Sequence, residues 1–150
     1  MDTLESELDV CRFLFLSDIT ELEYNGLRLV VSEGVPTGIV ERVHVGEIAL
    51  EGGTRIEIAS SSRHFELVWK QYIAYSVLNE SYASVGQEQY IGERFRVFTR
   101  SRFLDYFAAA SFASDDYPGR TTHYGVHCED HIVNVISIDP PAIRQIDSSR

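Results

Sequence analysis

Residues 123–138 read HYGVHCEDHIVNVISI, and this stretch decides the fold. It holds two apolar runs, His123–Cys128 and Ile132–Ile138, around the acidic pair Glu129-Asp130. Val126 and Cys128 fall on alternate positions, the two-residue period of a strand with one buried face. The reading is an antiparallel hairpin. His123 and His127 then project to one face and Cys128 to the other.

Working outward, most of the chain reads the same way. Val10–Leu16 is a short aromatic-aliphatic run. Thr20, Leu22 and Tyr24 alternate with Glu21 and Glu23, a half-buried strand. Asn25-Gly26 supplies a two-residue turn because both types tolerate positive φ, and Leu27–Ser32 returns as partner. Ile39–Leu50 is expected as one long strand with a bulge at Gly46, turning at Glu51-Gly52-Gly53 into Thr54–Ala59. Phe65, Leu67 and Trp69 keep the strand period. Tyr72–Leu78 also fits a helical stripe, but its aromatic and β-branched content favours strand. Phe95–Thr99 adds a further strand, and Pro140-Pro141 closes the core.

One segment differs. Ser101 reads as a helix N-cap, and Arg102–Ala113 places Phe103, Phe107 and Ala110 in one row and Leu104, Ala108 and Phe112 in another. Two apolar rows predict a helix largely buried against the sheet. The expected fold is therefore α+β. A mainly antiparallel sheet, curved or closed to a half-open barrel, carries one principal helix packed on it. The 150 residues suit a single globular domain, with about residues 1–9 and 147–150 frayed.

Apolar residues make up 44% and charged residues 24%, which excludes a disordered, collagen-like or coiled-coil chain. No apolar run approaches the roughly 20 residues that span a bilayer, and the acidic N-terminus does not read as an export signal. No membrane partner is expected, and the expected location is cytoplasmic. Cys11 and Cys128 sit among apolar residues and read as buried free thiols in a reducing compartment. The net charge of −10 disfavours nucleic acid and favours a basic protein partner. The acidity is uneven. Residues 1–66 carry 13 acids and 5 bases, residues 67–150 carry 10 and 8. Arg94, Arg96 and Arg100 share one face of a strand; the stripe could bind an anion or pair with the acidic N-terminal half, and pairing is the expected use.

Chemistry-bearing motifs are sparse. His123, His127, Cys128 and His131 lie within nine residues, but on a strand His123 and His127 stand about 13 Å apart, too far to share one zinc. No metal site and no cofactor are expected. Glu80, in Asn79-Glu80-Ser81-Tyr82, would form an acid/base pair with His123 or His127 if the fold brought them together. Ser, His and Asp are all present without a nucleophile elbow, and no phosphate-cradling glycine loop occurs. No catalytic residue is assigned. Trp69, Tyr72, Tyr75 and Tyr82 join Glu80, His123 and His127 as candidate partner or ligand contacts, since Tyr and Trp are over-represented at interfaces. The period slips at Lys70-Gln71, and that slip decides which of Tyr72 and Tyr75 is exposed.

The segments FELVWKQYIAYSVLNESYA (65–83), RSRFLDYF (100–107) and HYGVHCEDHIVNVISIDPP (123–141) together resemble a group of small bacterial proteins of unassigned function. The resemblance covers about the last 90 residues, implies a bacterial cytosolic protein and transfers no catalytic motif. By composition alone the chain is also similar to immunity proteins of bacterial toxin systems. The leading expectation is a non-catalytic protein-interaction module, such as an immunity-type inhibitor of a basic toxin. The alternatives are a small-molecule-binding or hydrolytic β domain with a Glu/His pocket near Trp69, and a structural homo-oligomeric subunit. The sequence leaves the oligomeric state open.

Overall fold

The 123–138 hairpin forms as its alternation requires. In the computed structural model, which describes residues 3–46 and 48–147, β9 (Thr122–His127) pairs antiparallel with β10 (His131–Ser137), Ile132 opposite His127 and Val135 opposite Tyr124. On the other side of β9 lies β8 (Phe95–Arg100), with the short edge strand β7 (Gln89–Ile91) beyond it. On the other side of β10 lies β6 (Tyr72–Asn79). These five strands form one antiparallel sheet, in the order β6-β10-β9-β8-β7.

A second antiparallel sheet has four strands, β1 (Leu14–Leu22), β2 (Gly26–Glu33), β5 (His64–Trp69) and β11 (Ala142–Ile146), in that order. Between β2 and β5 the chain leaves the sheet as a two-stranded ribbon, β3 (Val35–Val45) and β4 (Ile48–Glu57). The ribbon turns at Gly46, φ 64°, so the expected bulge is the turn itself and the Glu51-Gly52-Gly53 turn is ordinary strand.

The sheets are open and do not close into a barrel. Lys70 and Gln71 carry the chain from β5 in one sheet to β6 in the other, so the sheets share a core rather than a common edge. Leu27, Leu29, Val31, Phe65, Leu67 and Trp69 enter this core from the four-stranded sheet. Phe95, Tyr124, Val126, Val133 and Val135 enter it from the five-stranded one. Burying each large side chain contributes roughly 1.5–3 kcal/mol.

The helices depart from expectation. The N-terminal residues form α1 (Thr3–Asp9) instead of fraying. Leu8 is fully buried, and Asp9 Oδ1 accepts the backbone N–H groups of Glu93, Arg94 and Phe95 at 2.7, 2.8 and 2.9 Å. α2 (Arg102–Ala110) begins where predicted, with Ser101 Oγ accepting from the Leu104 N–H at 3.1 Å. It ends three residues early, and only Phe107 is buried on it. The core is already filled by sheet against sheet, so the helix lies at the rim with Tyr106 and Ala108–Ala110 exposed. Residues 148–150 of the expected frayed tail lie outside the described residues.

The first hairpin is displaced by one position. Positive φ falls on Tyr24 (58°) and Asn25 (60°), while Gly26 is extended at φ −77°. Glycine at 26 serves close packing: a Cβ there would lie 2.9 Å from Leu22 Cβ. In β6 the register jumps from Ala74 to Tyr72, leaving Ile73 as a bulge. That bulge lets Tyr72 and Tyr75 both pack half-buried on the core, ring centroids 4.8 Å apart, so neither is the exposed member of the pair.

Candidate functional site

With Tyr124, Val126 and Cys128 in the core, strand parity sends His123, Gly125 and His127 to the outer face of the five-stranded sheet. The paired strand β8 sends Arg96 and Phe98 to the same face, with Phe98 opposite His123 and Arg96 opposite Gly125. Gly125 lets the Phe98 ring lie down on the sheet, because a Cβ at 125 would sit 2.8 Å from Phe98 Cε2. Phe98 then stacks on His123 (centroids 4.1 Å, planes 9° apart) and approaches His127 at 6.5 Å. The segment after Glu80 and the start of α2 rise around this floor. They enclose a cleft of about 660 Å³, lined among others by Glu80, Glu88, Arg96, His123 and His127.

The fold therefore brings Glu80 and both histidines to one cleft, but it uses the histidines differently. His123 is 1% exposed, and both its ring nitrogens are engaged. Nδ1 lies 2.7 Å from Ser101 Oγ and Nε2 lies 2.8 Å from Asn134 Oδ1. Asn134 Oδ1 can only accept, so the neutral ring gives it the Nε2–H, and Nδ1 accepts the Ser101 hydroxyl proton. Asn134 Nδ2 passes the chain on to Ser76 Oγ at 3.4 Å. Burial lowers the His123 pKa, which fits a neutral ring holding the helix cap to the sheet. Ser101, His123 and Asn134 have the residue types of a nucleophile triad, but Ser101 is 2% exposed and its oxygen is committed to the cap.

His127 has no such partners. Its Nε2 is buried and makes no hydrogen bond among the described residues. Burial first, then the charge of Arg96, pushes its pKa down to about 4. Among the described residues, no group of three His, Cys, Asp or Glu side chains is arranged to hold a metal ion.

The arginines around the cleft do not pair with the acidic N-terminal half as expected. Arg94 donates to the backbone carbonyls of Cys11, at 3.1 Å, and Arg12, and lies 3.4 Å from Glu129. Arg102 donates to Ser84 Oγ at 3.0 Å and Ser84 O at 3.1 Å and stands 3.8 Å from Glu88, bracing the wall. Arg96 Nε donates to Glu93 O at 2.8 Å, and its guanidinium lies over the Tyr90 ring at 4.3 Å. No carboxylate pairs with Arg96 among the described residues.

The aromatic candidates fall elsewhere. Trp69 is 1% exposed in the core, tilted against Tyr124 at 6.1 Å, and does not line the cleft. Tyr72 donates its hydroxyl to Glu21. Tyr82 stands exposed on the turn Glu80–Tyr82. Both cysteines are buried free thiols, and burial raises their pKa values to about 11 for Cys11 and about 12 for Cys128. Arg96, Phe98, Ser101 and Asn134 were not singled out as site residues from sequence. The available signal was strand parity, which puts Phe98 and Arg96 on the histidine face once β8 is paired with β9.

Comparison with known protein families, with characterised proteins and with solved structures returns no match.

Proposed function

We propose that this chain is a non-catalytic binding module and that the cleft over His127 and Arg96 receives its ligand. The observation that carries the reading is a preformed cleft of about 660 Å³ lined by Arg96, which has no carboxylate partner among the described residues. Binding is favoured over proton transfer because His123 has both nitrogens engaged and Ser101 caps a helix. His127, held neutral beside Arg96, is a poor general acid at neutral pH. The test is a small-fragment screen followed by amide chemical shifts. Hits should cluster their shifts on residues 96–98 and 123–127. A screen whose hits move only residues elsewhere overturns the reading.

A second reading, a basic protein partner such as a toxin domain in a bacterial cytosol, rests on a different observation. Phe112 and Tyr117 stack at 6.3 Å while 89% and 67% exposed, on a chain of net charge −10. Exposed stacked rings on an acidic surface suit an interface anchor. Association with such a partner would slow as salt is added. A tight complex whose formation is indifferent to salt would count against it.

A further inference from the structure

We infer that the cleft is selective for a small monocarboxylate on an apolar body, with Arg96 as the carboxylate clamp. This rests on the binding reading above and names its ligand class.

The first step is the sign of the local field. The chain as a whole carries −10, yet this cleft is lined by Arg94, Arg96 and Arg102 against Glu80 and Glu88. Anions are therefore attracted at this point of an otherwise repelling surface.

The second step is which arginine is available. Arg94 and Arg102 are taken up by carbonyls, Ser84 and glutamates. Arg96 uses only Nε in a hydrogen bond, to Glu93 O. Its two terminal nitrogens keep the end-on fork that matches the two oxygens of a planar carboxylate.

The third step is charge number. One guanidinium without a carboxylate partner balances a single negative charge. Glu80 and Glu88 also line the cleft, so a dianion such as a phosphate ester meets repulsion that one arginine does not offset.

The last step is the body of the ligand. Leu78, Ile132 and Val85 line the same cleft, and Leu78 and Val85 are 41% and 102% exposed. They offer an apolar wall to the part of the molecule that carries the carboxylate.

The experiment is titration of the full chain with phenylacetate, with its neutral isostere phenylacetamide and with phenyl phosphate. Backbone amide shifts and the His127 ring nitrogen shifts are followed by NMR. The expected result is saturable binding of phenylacetate with shifts at Arg96 and His127, and binding at least about tenfold weaker for phenylacetamide and for the Arg96→Met chain. Arg96→Lys, which keeps the charge and loses the fork, should fall between. Equal binding of acid and amide at the cleft would overturn the anion inference and leave the binding reading standing. Tighter binding of phenyl phosphate would overturn the monocarboxylate assignment. No response of the cleft to any of the three at tens of millimolar would overturn both. An unaltered amide spectrum outside the cleft establishes that Arg96→Met folds, so its loss of binding is read as loss of the clamp.

Discussion

The outer faces of the two sheets are built from similar residues and end in different states. On the four-stranded sheet, Glu66 is 7% exposed and lies between two arginines, 2.6 Å from Arg28 Nε and 2.6 Å from Arg144 Nε. Asp18 adds a 3.3 Å contact to Arg28. Beside them Ser17, Ser32 and His64 form a hydrogen-bonded row, at 2.6 and 2.7 Å. There the charges close on one another within the sheet. On the five-stranded sheet the loop after Glu80 and helix α2 rise off the strands, so a cleft opens and the charges face it. Arg96 has no carboxylate there among the described residues. The same polar types on the same kind of strand are structural on one face and available on the other. Partner geometry decides which, and residue identity does not.

The largest effect expected on this comparison comes from His123, the one cleft histidine wired as tightly as the opposite face. His123→Ala removes two hydrogen bonds and the Phe98 stack and leaves Asn134 short of a donor. A loss of about 3 kcal/mol is expected in denaturant unfolding. A loss under about 1 kcal/mol would mean that the Ser101–His123–Asn134 chain is not what fixes α2 to the sheet.

Titration should separate the two faces next. His127 holds a pKa of about 4 against an ordinary 6.5, so the unfolded chain binds the extra proton first. Its contribution is complete above pH 6.5 and is lost as pH falls toward 4, by about 2 kcal/mol at pH 5. His123, also lowered by burial, acts in the same direction. Glu66 is held below its ordinary 4.5, first by the Arg144 hydrogen bond, so its contribution is present above that value and lost only as pH falls further. Two acid limbs are therefore expected. His127→Gln should flatten the limb between pH 6.5 and 5 and leave the lower one. If His127→Gln leaves the upper limb intact, burial of that ring is not its source.

Glu66→Gln addresses the closed face directly. It takes the buried carboxylate from the half-buried Arg28, which keeps only its 3.3 Å contact with Asp18, while Arg144, largely exposed, is resolvated by water. The expected loss is about 1–2 kcal/mol at pH 7, below the range for a fully buried pair, and it should shrink as pH falls below the ordinary 4.5. A loss that does not shrink with falling pH would point to packing instead of charge.

Much of this was legible from period and parity. The hairpin of 123–138, the shared face of His123 and His127 and the N-cap at Ser101 follow from alternation and residue type alone. The two-sheet arrangement did not, because nothing in the local pattern at Lys70-Gln71 states that the chain changes sheets there. The burial of α2 was overread for the same reason. Two apolar rows say that a helix can be covered, and only the tertiary structure says that the sheets had already filled the core. Glu80 was legible as a cleft residue, but Arg96 was read as a partner for the acidic half. Of its real neighbours, Glu93 O lies three residues back in the chain, and Tyr90 is brought there by the bulged pairing of β7 with β8.

The smallest expected stability change decides most about the open face. Arg96 contributes one backbone hydrogen bond and one cation–π contact, both near solvent, so Arg96→Met should cost about 0.5 kcal/mol. The same substitution also removes a positive charge facing His127, and the His127 pKa should rise from about 4, because one of the charges opposing its protonation is gone. Ring-nitrogen NMR titration of the two chains reads this directly. An upward shift with nearly unchanged unfolding would show an arginine held at the cleft without structural duty. Large destabilisation would instead place Arg96 with Arg28 and Arg144, as a side chain that completes its sheet.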